Sequence, residues 1–164
     1  MPQADENNIP DTRVVLLKSF SDERFVFFTN YSSRKGEHLA KNPWGAMNFY
    51  WASVTRQIRL RGQVIKISHA ESEKYFQGRP RESQIAAYAS KQSQPTTPEF
   101  LETQFNNYQK QFQSIDAIPC PEHWGGYALI PIEVEFWQGN RYRLHYRVRY
   151  TKENKVWNKQ SLSP

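Results

Sequence analysis

Hydrophobic positions divide the chain into short runs of period two, a helical middle and a second set of strand-like runs. Residues 1–12, MPQADENNIPDT, are polar, contain two prolines and show no period, which predicts a flexible N-terminal arm ahead of one domain over 13–164. RVVLLKSF (13–20) and FVFFTN (25–30) are rich in β-branched and aromatic residues, and SDER between them reads as a hairpin connection. SSRKGEHLAKNP predicts a short helix capped by Ser32 or Ser33 and stopped at Asn42-Pro43. Two further strands follow, GAMNFYWAS (45–53) and RQIRLRGQVIKIS (56–68), close enough in sequence to pair antiparallel.

The middle carries helical spacing. Ser68 and Glu71 form a capping-box pattern ahead of AESEKYFQ, Pro80 interrupts, and RESQIAAYAS offers a second short helix. Thr97-Pro98 opens a third, with Phe100, Leu101, Phe105, Tyr108 and Phe112 on one stripe. IDAIPCPEHWGG reads as a loop. YALIPIEVEFWQ, RLHYRVRY and KVWNKQSL then read as three strands in succession. Many short strands with brief connections and few helices predict a mainly β fold, an antiparallel barrel decorated with helices.

Composition narrows the partners. A chain of 164 residues supports one domain with a real core. Lys and Arg number 22 against 16 Asp and Glu, a net charge of +6, which favours nucleic acid, acidic headgroups or phosphorylated small molecules. No apolar run approaches the roughly 18 residues of a membrane span. The N-terminus lacks the basic start and apolar stretch of a signal peptide. Cys120 is the lone cysteine, so no internal disulfide forms, and a cytoplasmic location is expected. With seven glycines and neither GxGxxG nor GxxxxGK[ST], any phosphate must be held by side chains and helix ends. No Cys/His array has zinc spacing, because Cys120-x-x-His123 offers two ligands at most, and no metal is expected.

Four clusters could carry chemistry. Arg34 and Lys35 fall in the first turn of a helix, where cations oppose the helix dipole unless an anion sits between them and the free N–H groups; a solvated basic turn is the bland alternative. Tyr75, Arg79, Arg81 and Ser83 surround the Pro80 break and suit a phosphate dianion, or else form a surface corner. In RQIRLRG, alternation puts Gln57, Arg59 and Arg61 on one strand face, and spacing leaves the role of Gln57 open. EFWQGNRYRLHYRVRY gathers Arg141, Arg143, Arg147 and Arg149 with five aromatics, a combination that suits a flat anionic ligand. Strand alternation would place Arg143, His145 and Arg147 on one side. The flanking cations would favour a neutral imidazole, useful for hydrogen bonding or proton acceptance. An exposed basic strand or a base-stacking nucleic-acid surface uses the same residues.

RVVLLK, FFTN with SRKG, NFYW, RQIRLRG, YFQGRPRESQIAAYAS with QSQ, WGGY, EFWQG, RLHYR and the final SLSP occur together in this order. In that set the chain resembles the pyridoxine/pyridoxamine 5′-phosphate oxidase family, over roughly residues 12 to 164. The resemblance implies an FMN-binding split β-barrel and a homodimer with FMN at the subunit interface. It implies oxidation of pyridoxamine or pyridoxine 5′-phosphate to pyridoxal 5′-phosphate, with O2 taking the electrons to give H2O2. With no RGG tract or recognised RNA motif and no apolar run long enough to span a membrane, neither a nucleic-acid nor a membrane partner is expected. Carried over by motif, the cofactor set is Arg13, Val14, Val15, Leu16, Leu17, Lys18, Phe28, Thr29, Arg34, Lys35, Gln57, Gln92, Ser93, Trp137 and Arg147. The substrate set is Lys18, Tyr75, Arg79, Ser83, Arg143 and His145, with Arg143 and His145 as the catalytic pair.

Three departures from the family pattern matter. Only twelve residues precede Arg13, so the family's opening barrel strand is expected to be missing. RLHDR of the family is RLHYR here, with Tyr146 in place of aspartate; alternation should turn Tyr146 away from the ligand face, at the cost of an acid that balanced nearby arginines. Phe28 stands where tyrosine is common. These departures keep in view a weakly active or non-catalytic paralogue that binds FMN or pyridoxal 5′-phosphate, and a related oxidase of another heteroaromatic, such as one of a phenazine pathway.

Overall fold

The computed structural model describes residues 1–21 and 23–164; Asp22 of the expected SDER connection lies outside the described residues. Among the described residues one antiparallel sheet holds nine strands: β1 (Pro2–Ala4), β2 (Pro10–Thr12), β3 (Ser19–Ser21), β4 (Arg24–Asn30), β5 (Trp44–Trp51), β6 (Arg56–Lys66), β7 (Trp124–Gln138), β8 (Tyr146–Glu153) and β9 (Val156–Leu162). Four helices decorate it: α1 (Arg34–Lys41), α2 (His69–Gln77), α3 (Arg81–Ala89) and α4 (Pro98–Gln111).

Strand β7 organises the sheet. On one side β6 pairs with it along most of its length, Arg56 opposite Gln138 and Lys66 opposite Tyr127. On the other side its two ends take different partners. β4 pairs with the first part, Phe28 opposite Gly126, while β8 pairs with the last part, Arg147 opposite Trp137. The sheet therefore forks at the middle of β7.

Pro131 sits near that fork. Lacking an N–H, proline is excluded from central strands except at bulges, and the register of β7 against β6 slips here: Gly62 faces Pro131 but Arg61 faces Glu133. Side-chain alternation on β7 inverts across the slip. Tyr127 and Leu129 belong to the main core cluster, and so does Val134, of opposite parity. Glu133, Glu135 and Trp137 are thereby moved to the face that carries Trp124, Gly126 and Ala128.

The core has three parts. Phe27, Leu39, Met47, Leu60, Val64, Tyr127 and Leu129 fill the barrel interior. Phe76, Ile85, Phe112, Ile118, Cys120 and Trp124 lie under α2–α4, and Val26, Ile67 and Ala128 join the two. β7 is buried on both faces over Trp124–Leu129, which is why that stretch reads as a near-continuous apolar run.

Helix signals hold. Ser33 caps α1, accepting from the Gly36 N–H at 3.3 Å; Ser68 and Glu71 form the capping box of α2; Thr97 caps α4 with Pro98 in its first turn. On α4 the expected stripe divides: Phe105, Tyr108 and Phe112 pack in the second cluster, but Phe100 is exposed.

Three segments differ from the sequence reading. Residues 1–12, expected as a flexible arm, form a short hairpin, Gln3 opposite both Asp11 and Gly45. Asp5 holds its turn by accepting from the Asn7 and Ile9 N–H groups at 2.9 and 2.8 Å, a local bond that hydrophobic period does not register. Of the strand expected over 13–20, only Ser19–Ser21 joins the sheet. Residues 13–18 make isolated ladder contacts, Arg13 N–H to Met1 and Lys18 N–H to Val26, and leave Val14 and Leu16 exposed. The strand expected from Arg143 begins at Tyr146, because Arg141–Arg143 form a 3-10 turn in which Tyr142 and Arg143 have φ of 58° and 60°.

Candidate functional site

A cavity of about 720 Å3 lies between the extended 13–18 segment, the end of β4 and the α2–α3 junction. From the cofactor set, Arg13, Val14, Val15, Leu16 and Lys18 form one wall, and Phe28, Thr29, Lys35 and Gln92 another. From the substrate set, Tyr75, Arg79 and Ser83 line the end nearest the Pro80 break, with Lys18 shared.

Local chemistry positions each. Phe28 stacks on Tyr75 with centroids 3.8 Å apart and planes within 11°, and Trp124 lies 5.3 Å from Phe28 at 12°. The Arg79 guanidinium sits 4.6 Å from the Trp124 centroid, so the aromatic floor holds a cation in place. Lys35 turns from the first turn of α1 into the cavity and donates to Thr29 Oγ1, while Thr29 also meets Gln92 Oε1 at 3.2 Å. Arg13 pairs with Asp11 at 2.5 Å.

The cavity is cationic and undersupplied with anions. Among the described residues no carboxylate pairs with Lys18, Lys35 or Arg79. Lys35 is 3% exposed, and burial, with Arg13 adding repulsion, lowers its pKa to about 8. Burial likewise lowers the Arg79 pKa, against the pull of Tyr75. Buried Arg13 Nε and Arg79 Nη1 have no hydrogen-bond partner. Donors left unpaired cost about 1–3 kcal/mol each, a cost an anionic ligand removes. Side chains with this donor set fit phosphate groups.

A second constellation lies elsewhere. Gln57, Trp137 and Arg147 occupy one row across β6, β7 and β8 on the sheet's outer face. His145 packs 4.7 Å from the Trp137 ring, and its Nδ1 accepts from the Asn140 N–H at 3.2 Å, so a neutral ring carries its proton on Nε2. Arg143 is exposed beside it, in left-handed backbone that costs about 1–2 kcal/mol for a side-chain-bearing residue. The expected single strand face for Arg143, His145 and Arg147 is not formed; the turn at Asn140–Leu144 carries the first, and His145 precedes the strand.

The rest fall outside both groups or serve the fold. Arg34 is largely exposed, with Asp11 3.7 Å away, and Ser93 is exposed with φ of 72°. Leu17 is 39% exposed and does not line the cavity. Arg81 donates to the Phe112 and Ile115 carbonyls at 2.5 and 2.9 Å, fastening α3 to the loop after α4. Cys120 is buried, its thiol pushed up to about 11 by that burial, and His123 Nε2 lies 3.0 Å from the Ala87 carbonyl. Tyr146 does turn to the face opposite Arg147. The acid balancing Arg147 is Glu135, which sequence reading passed over; the β7–β8 register puts it on the Arg147 face, and the one signal in the sequence was Pro131, whose bulge sets Glu135 opposite Arg59.

The two groups cannot share one small ligand within a protomer. Phe28 faces Gly126, and Trp137 lies eleven residues farther along the same strand, a contour of roughly 36 Å at 3.3 Å per residue.

Residues 4–111 match the family model described as pyridoxamine 5′-phosphate oxidase, and residues 124–164 match the pyridoxine 5′-phosphate oxidase C-terminal dimerisation region. The chain belongs to the pyridoxamine 5′-phosphate oxidase family. It is 45% identical over 156 residues to the pyridoxine/pyridoxamine 5′-phosphate oxidase of Acaryochloris marina, covering 94% of this chain and 71% of that protein. The Herminiimonas arsenicoxydans enzyme of the same name is 47% identical over 161 residues, covering 97% and 75%. Among solved structures, PhzG from Burkholderia lata 383, in complex with tetrahydrophenazine-1-carboxylic acid, superposes with a TM-score of 0.92 at 30% identity, covering 99% of this chain and 80% of that one. A pyridoxamine 5′-phosphate oxidase-related, FMN binding protein from Nostoc punctiforme superposes at 0.79 with 16% identity, covering 99% and 86%, and shares the fold. The family binds FMN, and its fold is the split barrel seen here.

Proposed function

We propose that the chain oxidises pyridoxamine or pyridoxine 5′-phosphate to pyridoxal 5′-phosphate in a cytoplasmic homodimer, each site built from the cavity of one copy and the Gln57–Trp137–Arg147 row of the other. The observation that carries this reading is the donor set of the cavity: Lys35 and Arg13 at one place, Arg79, Ser83 and Lys18 at another, with unpaired donors among them and, among the described residues, no carboxylate on the lysines or Arg79. Two separate cationic groups of side chains fit two phosphorylated rings, and the length of β7 between the constellations calls for a second copy to complete the site.

When bound, FMN supplies the two-electron acceptor, and O2 takes the electrons onward to give H2O2. The protein's share is binding and orientation. Lys35 and Arg13 neutralise the cofactor phosphate. Arg79, Ser83, Tyr75 and Lys18 grip the vitamer phosphate. Trp137 walls the cofactor ring, and Arg143 with His145 faces the reacting end of the substrate. With Nδ1 engaged by Asn140, His145 offers Nε2–H as a donor when neutral.

PhzG supports a second reading, an oxidase of a non-phosphorylated tricyclic carboxylate. Anaerobic absorbance spectroscopy separates them: pyridoxine 5′-phosphate should bleach the flavin band and tetrahydrophenazine-1-carboxylate should not. The reverse pattern selects the second reading, and flavin that stays oxidised with both means a binding paralogue.

A further inference from the structure

Glu135 is 4% exposed, between the half-buried Glu133 and Trp137 on the same face of β7, and both its oxygens are engaged. Oε1 accepts from Arg147 Nε at 2.8 Å, and Oε2 accepts from Arg59 Nη2 at 2.7 Å. Arg147 Nη1 in turn donates to the Ser163 carbonyl at 2.9 Å. Two edges of the Arg147 guanidinium are therefore tied to the protein, one by a buried carboxylate and one by the C-terminal segment. Nη2 is the nitrogen left for a ligand. Arg59 is half exposed and stands on the neighbouring strand, so it balances the carboxylate without sharing the Arg147 tethers. The hydrogen bond from Arg147 also holds the Glu135 carboxyl below its ordinary range, and Arg147 is raised in turn. We infer that Glu135 is a positioning residue, a buried carboxylate that fixes the rotamer of Arg147 so that one guanidinium edge is presented to the FMN bound by the partner copy.

The inference rests on Arg147 facing the cofactor, as proposed above. A long side chain left free would lose rotamer entropy on binding; held by Glu135 and Ser163, Arg147 has already lost it. Glu135→Gln keeps the volume but offers one acceptor oxygen and no charge, so Arg147 is freed while the core beneath is unchanged. Loss of a residue that orients a metal ligand weakens metal binding by about ten- to a hundredfold, and an orienting carboxylate behind an arginine acts in the same way.

The test is FMN titration of residues 1–164, followed by quenching of flavin fluorescence, for Glu135→Gln, Arg147→Ala and the double variant. Glu135→Gln should weaken FMN binding about tenfold in the wild-type background and by less than twofold when Arg147 is already alanine. Glu135→Asp should recover part of the loss, and Arg59→Gln should leave affinity within about twofold of wild type. Equal weakening by Glu135→Gln in both backgrounds, or none in either, overturns the positioning role. Should Glu135→Gln fail to fold, the Glu135→Asp variant measured with and without Arg147→Ala gives the same comparison. If Arg147→Ala itself binds FMN like wild type, the underlying placement of Arg147 fails instead, a result the single variant shows separately.

Discussion

Replacing Lys35 with methionine should stabilise the protein without ligand and weaken FMN binding at the same time. Lys35 is buried, has Thr29 and Ser33 as hydrogen-bond partners and meets no carboxylate among the described residues. Its fall from 10.5 to about 8 corresponds to about 3 kcal/mol at 1.36 kcal/mol per pH unit. Since the folded value lies below the unfolded one, the folded chain binds fewer protons between about pH 8 and 10.5. Stability therefore rises with pH across that window, and the whole cost of burying the ammonium is present at pH 7. Lys35→Met removes it, less about 1 kcal/mol for the lost hydrogen bonds. The net gain of about 2 kcal/mol should raise Tm by roughly 4–8 °C in a chain of this size. A phosphate beside Lys35 reverses the balance, so FMN affinity should drop about ten- to a hundredfold. Riboflavin, which lacks the phosphate, should bind both proteins alike. Calorimetry at pH 8 in two buffers of different ionisation heat should show uptake of about half a proton per FMN bound by wild type and none by the variant, because Lys35 is about half protonated there. A Lys35→Met protein that melts lower at pH 7 and keeps the wild-type preference for FMN over riboflavin would refute the reasoning.

Other perturbations separate cofactor, substrate and scaffold. Arg143→Ala or His145→Ala should lower kcat/KM by about a hundredfold while FMN affinity, read by fluorescence quenching, stays within a few fold; loss of flavin would move both residues into the cofactor site. Arg79→Ala should raise KM for the phosphorylated vitamer by about tenfold or more and leave FMN binding largely unchanged. Tyr146→Asp should change Tm and FMN affinity little and preserve or improve turnover, since Tyr146 is 67% exposed on the face opposite Arg147; a severe loss of turnover would reveal a role for the phenol. Gly62→Ala should cost about 3 kcal/mol or more in chemical denaturation, because its Cβ would lie 2.0 Å from the Ile130 carbonyl oxygen.

Local signals marked most of the elements, and the misses have two causes. Ser33, Ser68 with Glu71, and Thr97-Pro98 mark helix starts because each satisfies nearby backbone donors. Alternation in RQIRLRG placed Gln57, Arg59 and Arg61 on one face, as found. What local pattern could not supply is register between distant segments. The pairing of Glu135 with Arg147 depends on which residues lie opposite one another, whereas Asp5 closing its hairpin and the turn through Tyr142 and Arg143 are local bonds and backbone torsions that hydrophobic period does not register. The motif resemblance named residues from both constellations without showing that they stand at opposite ends of β7. Their separation is a property of the fork, where β4 leaves the strand and β8 joins it.

The bulge at Pro131 ties that fork to the site. Without the extra residue, strict alternation would send Glu133, Glu135 and Trp137 into the barrel with Tyr127 and Leu129, and bring Val134 and Phe136 to the outer face. Two carboxylates would then be buried away from Arg59 and Arg61 of β6, at several kcal/mol for each unpaired charge. Register, in other words, decides both stability and site: the slip that keeps Glu135 beside its arginines is also the one that presents Trp137 on the surface. Gly62 makes the slip possible by leaving room for the Ile130 carbonyl, whose oxygen any Cβ at that position would meet. If this coupling holds, Gly62→Ala should lose FMN affinity along with stability, even under conditions where the variant remains folded. A destabilised variant that still bound FMN as wild type does would show the Trp137 row to be held by other contacts.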